Sequence, residues 1–231
     1  AYDPVKDEIL IPQFFAFAIL TYRGDSNGNV APVRKIFGPS TQLKNPQALA
    51  LDWIRGEVFV PQDDRVLVFS RDVNGDSAPL RILGDKDHPV DGGRLTVDPV
   101  HGFLIASAPE GLKIYRSTAQ GTEPPVRIIT HKDAKEVGLM TTHPETGMIF
   151  AGVRPGGRYA KEDYVGVWSV YDNGDVPARW AIGGPGGILS DMRGVALDAK
   201  NKSVIISDKT VNGVMTWYVP EVFDNITGRK R

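Results

Sequence analysis

Four oxygen-bearing side chains, Asn45, Asp91, Glu136 and Asp191, each stand shortly ahead of an apolar strand, at corresponding points of a chain that repeats itself. Amide and carboxylate oxygens arriving from successive repeats are the ligands a hard cation such as Ca2+ or another divalent ion takes. A cation held there would polarise a carbonyl or a water, which is the chemistry of a metal-assisted hydrolase or lyase. The same residue types also start turns by bonding nearby backbone, so each position has a structural role without any ligand. Arg94 and Arg193 follow Asp91 and Asp191 by three and two residues, and ion pairing there would compete with a metal.

Two further places depart from the repeat. Phe14 and Phe15 occupy positions where the next unit has Asp63 and Asp64. Apolar rings at a loop tip suggest a contact surface for a partner protein or an organic ligand. The segment from Arg154 to Asp163 lengthens the fourth unit and carries Pro-Gly-Gly with mixed charges. Long loops carry function more often than short ones. Arg154, Arg158 and Tyr159 from this loop, with Arg193, complete the candidate binding surface begun by Phe14 and Phe15.

Other chemistries find less support. The chain has no cysteine, which excludes disulfides, thiolate metal sites and a cysteine nucleophile. His143 takes a position that aspartate holds in neighbouring units, whereas His88, His101 and His131 sit at unrelated repeat positions. Gly183-Gly184-Pro185-Gly186-Gly187 lacks the Lys and Ser or Thr that follow in a phosphate loop. A net charge of −1 argues against a broad nucleic-acid surface, although Arg154, Arg158 and Lys161 could form a local patch. No apolar run reaches the roughly 20 residues that cross a bilayer. Ala1 is compatible with removal of a signal peptide, and the expected compartment is extracytoplasmic, periplasmic or secreted.

The elements that must position these residues follow from the repeat. Pro-x-Arg recurs with its arginine at Arg34, Arg81, Arg127 and Arg179, at intervals of 47, 46 and 52 residues, each after a Gly-centred turn. One unit reads as four short strands: Ala48–Asp52, Glu57–Pro61, Val66–Phe69 and Pro79–Gly84. Strands of this length rich in Val, Ile and Phe, separated by Gly, Asn and Asp, predict an all-β chain with almost no helix. A period of about 40–50 residues built only of strands predicts β-propeller blades. The units run approximately over 1–47, 48–93, 94–138, 139–193 and 194–231, giving about five four-stranded blades in a single domain. An arginine present in every full unit reads as a structural pairing between blades.

Strand direction alternates within a blade, so topology decides which loops share a face. The loops leading into each first strand and those joining second and third strands open on one side, around the channel mouth. That side carries Asn45, Asp91, Glu136, Asp191, Phe14, Phe15 and the Arg154 loop. The two ends do not match. The first blade begins with only Ala1-Tyr2-Asp3-Pro4, and the last has no Pro-x-Arg strand after Val214–Tyr218. The favoured expectation is an N-terminally shortened chain, which would make it part of a six-bladed ring. The other expectations are a three-stranded last blade and an outer strand supplied by a partner, with self-association through the open edge.

The unit P-x-R-x-I-x-G … P-x-A-L-A-L-D … E-V-F-V resembles the NHL repeat and the related six-bladed TolB-like and gluconolactonase-type propellers of bacteria. The likeness covers nearly the whole chain. It departs at Gly92 and Val137, which replace the proline seen at Pro46, and at His143. The resemblance implies a propeller and, by analogy with the lactonase-type members, a cation on the Asn45, Asp91, Glu136 and Asp191 set. Some NHL-type propellers bind RNA, which the near-neutral charge disfavours here. The leading expectation is a non-enzymatic binding or assembly module that takes a protein or small molecule at the channel mouth. The alternative is the metal-dependent hydrolase or lyase.

Overall fold

Val58-Phe59-Val60 and Val66-Leu67-Val68-Phe69 have no polar face. Successive residues of a strand point to opposite sides of a sheet, so an unbroken apolar run requires cover on both sides. A stack of blades around an axis supplies that cover. The computed structural model describes residues 1–90, 93–156 and 161–227.

The first blade comprises β1 (Tyr2–Asp3), β2 (Glu8–Gln13), β3 (Ala18–Arg23) and β4 (Arg34–Ile36). The second comprises β5 (Ala50–Asp52), β6 (Glu57–Gln62), β7 (Arg65–Ser70) and β8 (Arg81–Leu83). The third contains β9 (Leu95–Asp98), β10 (Phe103–Ala108), β11 (Gly111–Arg116) and β12 (Arg127–Ile129). The fourth contains β13 (Val137–His143), β14 (Met148–Val153), β15 (Tyr164–Ser169) and β16 (Trp180–Gly183). The fifth has three strands, β17 (Met192–Asp198), β18 (Ser203–Asp208) and β19 (Gly213–Tyr218). Within each blade consecutive strands pair antiparallel, in chain order. The chain is therefore an all-β propeller, as its repeat predicts.

Alternation assigns each side chain to one of two interfaces. Val58 and Val60 of β6 pack with Leu10, Ile19 and Ile36 of the first blade. Phe59, between them, packs with Leu95, Val97 and Leu104 of the third. The third and fourth blades share Ile105, Ile114, Ile149 and Trp168. Phe150 and Val165 of the fourth blade meet Val204 and Ile206 of the fifth. Burying one such side chain contributes about 1.5–3 kcal/mol. The innermost strands β1, β5, β9 and β13 border a common hollow of about 260 Å³, lined by Tyr2, Leu51, Val97 and Thr141 among others. This hollow lies between the inner strands of four blades, where a propeller has its axial channel.

Polar residues recurring once per blade fix the turns and the joints. Asp52 and Asp98 end their inner strands buried, and each Oδ1 accepts from the backbone N–H groups two and three residues on. Asp3 does the same in the first blade and also meets Arg71 of the second at 2.9 Å. At His143 the turn is closed by the main-chain carbonyl, which accepts from Thr146 and Gly147. The His143 ring is buried 5.8 Å from Phe223, and burial lowers its pKa.

Three of the four Pro-x-Arg arginines, Arg34, Arg81 and Arg127, reach across blade boundaries, as their recurrence suggests. Arg81 grips Glu57 at 2.6 and 2.7 Å and donates to the Ser117 carbonyl of the third blade. Arg34 pairs with Glu8 and donates to the Arg71 carbonyl of the second. Arg127 instead lies over the rings of Phe103 and Tyr171, 5.3 and 5.4 Å from their centroids. Arg179 pairs with Asp172 in its own blade.

The sequence reading allows almost no helix, and the structure adds one short helix, α1 (Pro220–Thr227). Val219, Val222 and Phe223 fall at helical spacing and join the core between the fourth and fifth blades. Phe223 stacks on Phe150 at 5.9 Å.

Candidate functional site

The segments leading into the inner strands are each tied to the end of the second strand of the same blade. In the second blade the Lys44 N–H donates to the Gln62 side chain. In the third, Ser107 donates to the Arg94 carbonyl from its N–H at 3.1 Å and from its hydroxyl at 3.3 Å. In the fourth, the Arg154 N–H donates to the Glu136 carbonyl at 3.1 Å. In the fifth, Asp208 Oδ2 accepts from the N–H groups of Ser190 and Asp191, both at 2.8 Å. These bonds bring the two loop families to one face, the rim on which the candidate residues were expected.

The cation candidates occupy unlike settings on that rim. Asn45 is exposed with a left-handed φ of 46°, a conformation Asn tolerates better than most residues. Glu136 is exposed and closes a short 3-10 turn, donating its N–H to the Asp133 carbonyl. Asp191 is wholly buried, with Arg154 and Arg193 each 2.9 Å from its oxygens. Asp91 lies outside the described residues. Among the described residues no three His, Cys, Asp or Glu side chains gather as a metal site would require. The anticipated competition from Arg193 is present at Asp191.

Around Asp191 the sequence reading missed two participants. Asp163 is wholly buried, with Arg154 Nε 3.6 Å away and the Met192 N–H 3.5 Å away. Burial pushes its carboxyl above the usual carboxylate range, against the Met192 N–H and Arg154. Asp208 shows the opposite sign. Burial pushes it up, but four backbone N–H groups, from Ser190, Asp191, Val211 and Thr210, carry it below the usual range. Their signal was available: Asp208 stands at the second-strand end where Gln62 does the same tying in another blade. Asp163 and Asp191 against Arg154 and Arg193, with Asp208 held beside them by backbone N–H groups, make this an ionic joint between the fourth and fifth blades. Arg158 and Tyr159 lie outside the described residues, and Arg154 and Arg193 are engaged in the joint.

The other rim feature is open. A cleft of about 570 Å³ crosses the first three blades, lined by Phe14, Lys44, Asn45, Asp63 and Arg94. Its size is that of small-molecule sites. A second hollow of about 540 Å³ adjoins it, bounded by Pro12, Phe14, Phe15, Pro46 and Arg94. Phe14, Gln47 and Arg94 line both, so the two form one trough. Phe14 and Phe15 meet edge to face at 5.0 Å, and Phe15 is 87% exposed. The structure therefore joins Asn45 with Phe14 and Phe15, and joins Asp191 with Arg154 and Arg193 elsewhere on the rim.

Fold and rim together define a β-propeller with a built trough on its channel-mouth side. No protein-family model matches the chain, and no curated protein sequence matches it. Solved structures do. The hydrazine synthase of Kuenenia stuttgartiensis aligns over 89% of this chain with a TM-score of 0.63 and 12% identity. This chain spans about half of that one, 53% of its length. A nidogen–laminin complex aligns over 95% of this chain and 79% of the other, with a TM-score of 0.55 and 14% identity. At these identities the likeness concerns the fold alone.

Proposed function

We propose that this propeller is a binding or assembly module of the NHL-like kind, which holds a protein or small-molecule ligand on its rim without transforming it. The observation that carries this reading is the trough across the first three blades, with Phe14 and Phe15 presented at its edge. Isolated surface aromatics are ordinary, but a ring pair beside a concave site marks a contact surface. The titratable groups packed most closely on the rim, Asp163, Asp191 and Asp208, are bound up with arginines or backbone N–H groups. They hold two blades together and leave the trough to recognition.

Immobilised protein should retain a ligand from extracts of its source, and a Phe14→Ser/Phe15→Ser variant with an unchanged circular dichroism spectrum should lose it. Rapid hydrolysis of small esters or lactones by the purified protein would overturn the reading. So would retention unaffected by the double substitution.

A further inference from the structure

We infer that the trough selects an organic carboxylate: a small acid whose carboxylate sits on Arg94 and whose apolar or aromatic part lies against Phe14 and Phe15. This inference rests on the binding reading above and names the ligand class for the same site.

Arg94 lies at the junction of the two hollows, one polar and one edged by rings and prolines. Its backbone is held by the two bonds from Ser107, so the side chain starts from a fixed point. Its guanidinium has no ion-pair partner among the described residues. That sets it apart from the rim arginines Arg154 and Arg193, which are committed to Asp191. A half-exposed guanidinium that pairs with no described carboxylate presents a planar fork of donors that matches a carboxylate with two parallel bonds.

The charge balance of the trough has the same sign. Lys44 joins Arg94 on its walls, and Asp63 is the carboxylate opposing them. Asp64, next to Asp63, is already taken by Arg65 at 2.9 Å. Among the described residues, two cations against one exposed carboxylate leave the site net positive. Beyond Arg94, the surface of Pro12, Phe14, Phe15 and Pro46 offers rings and aliphatic carbon. An acid without an apolar group would leave that surface wet, and a neutral aromatic would leave the guanidinium unpaired. Both features are used when one ligand carries both groups.

The test is a titration of the whole chain followed by amide NMR, with three probes: 3-phenylpropionate, its neutral amide 3-phenylpropionamide, and acetate. The expected result is that 3-phenylpropionate shifts the amides of Gln47, Arg94 and Phe14, with a Kd of roughly millimolar or tighter for a ligand of its size. The amide and acetate should each bind about tenfold more weakly or worse. Arg94→Gln should remove the preference for acid over amide, and Phe14→Ser should remove the preference over acetate. Equal affinity for acid and amide, or a preference that survives Arg94→Gln, would overturn the inference. If the amide binds the trough equally and Phe14→Ser abolishes it, the anion inference fails while the binding module stands. Absence of shifts at the trough with every probe also overturns it, and the retention experiment then judges the module separately.

Discussion

The backbone N–H of Gly75 donates to the carbonyl of Lys35 at 2.6 Å, across the boundary between the first two blades. The Phe37 N–H returns a bond to the Gly75 carbonyl, and the Asn74 side chain accepts from the Lys35 N–H at 2.9 Å. The same clasp recurs between Gly121 and Ile82 and between Gly174 and Ile128, each at 2.7 Å. The recurring Gly turn is thus a joint between neighbouring blades as well as a turn within one.

Glycine serves this joint through its conformation. Gly75 has a φ of 86°, and a Cβ there would meet nothing within 4 Å. Gly75→Ala should therefore cost only the left-handed backbone penalty, about 1–2 kcal/mol. Gly111 differs: its φ is 139°, and a Cβ would lie 1.9 Å from the Ile129 carbonyl oxygen. Gly111→Ala adds a backbone clash to the strain and should cost at least about twice as much. Urea midpoints of the two variants would rank them, and equal losses would contradict this account.

Arg81 joins two partners, whereas Glu57 has one. Removing Arg81 strands a largely buried carboxylate and frees the Ser117 carbonyl, so Arg81→Met should destabilise the fold by about 2–4 kcal/mol. Glu57→Gln keeps an acceptor for the guanidinium and should cost about 1 kcal/mol. Denaturant unfolding of both variants and of the double variant would separate the pair from the inter-blade bond. A larger loss for Glu57→Gln than for Arg81→Met would assign the stabilisation wrongly here.

The fold was legible because burial on both faces writes itself into strands such as Val58-Phe59-Val60, and recurrence then counts the blades. Recurrence also marked Arg34, Arg81, Arg127 and Arg179 as inter-blade residues, but not their partners. This holds for the first three, whereas Arg179 pairs with Asp172 in its own blade. Glu8 and Glu57 hold Arg34 and Arg81 within their own blades, the bonds to the next blade go to the Arg71 and Ser117 carbonyls, and Arg127 lies over the rings of Phe103 and Tyr171. A contact to the next blade spans about 40 residues of sequence, and no local pattern encodes it. Helix α1 was missed although Val219, Val222 and Phe223 carry its period, because eight residues give little for periodicity to act on. At the rim, Phe14 and Phe15 were visible as breaks in the repeat. The place of Arg94 at the junction of two hollows depends on three blades meeting and leaves no mark in its own segment.

The ionic joint between the fourth and fifth blades should respond to pH with two opposite signs. Asp163 is raised by burial, so the folded chain keeps a proton that the unfolded chain releases above about pH 4. Its contribution is complete below the unfolded pKa and is lost as pH rises through the folded one. Asp163→Asn removes that loss, and its stability relative to the natural chain should improve between pH 4 and neutrality. Asp208 is lowered, so its contribution is complete above the unfolded pKa and is lost as pH falls. Asp208→Asn should be most harmful at neutral pH, with the deficit shrinking in acid. Unfolding free energies measured across this range would test both, and parallel curves for the two variants would refute the assignment.

The fifth blade ends at β19, and among the described residues no strand pairs with its outer edge. Val214 and Tyr218, on one face of that strand, are 71% and 70% exposed. An edge strand that offers unpaired backbone groups beside apolar side chains is a template for another strand. The chain should therefore self-associate through this blade, with a sedimentation coefficient that rises with concentration across the micromolar range. Val214→Lys places a charge where a second copy would dock and should keep the chain monomeric, with its thermal stability unchanged because the site is open. Phe15→Lys, on the exposed rim, adds the same charge elsewhere and should leave association intact. If both substitutions abolish association equally, general charge repulsion is responsible. If neither does, the contact lies away from β19, and the open edge is shielded by something other than a second copy.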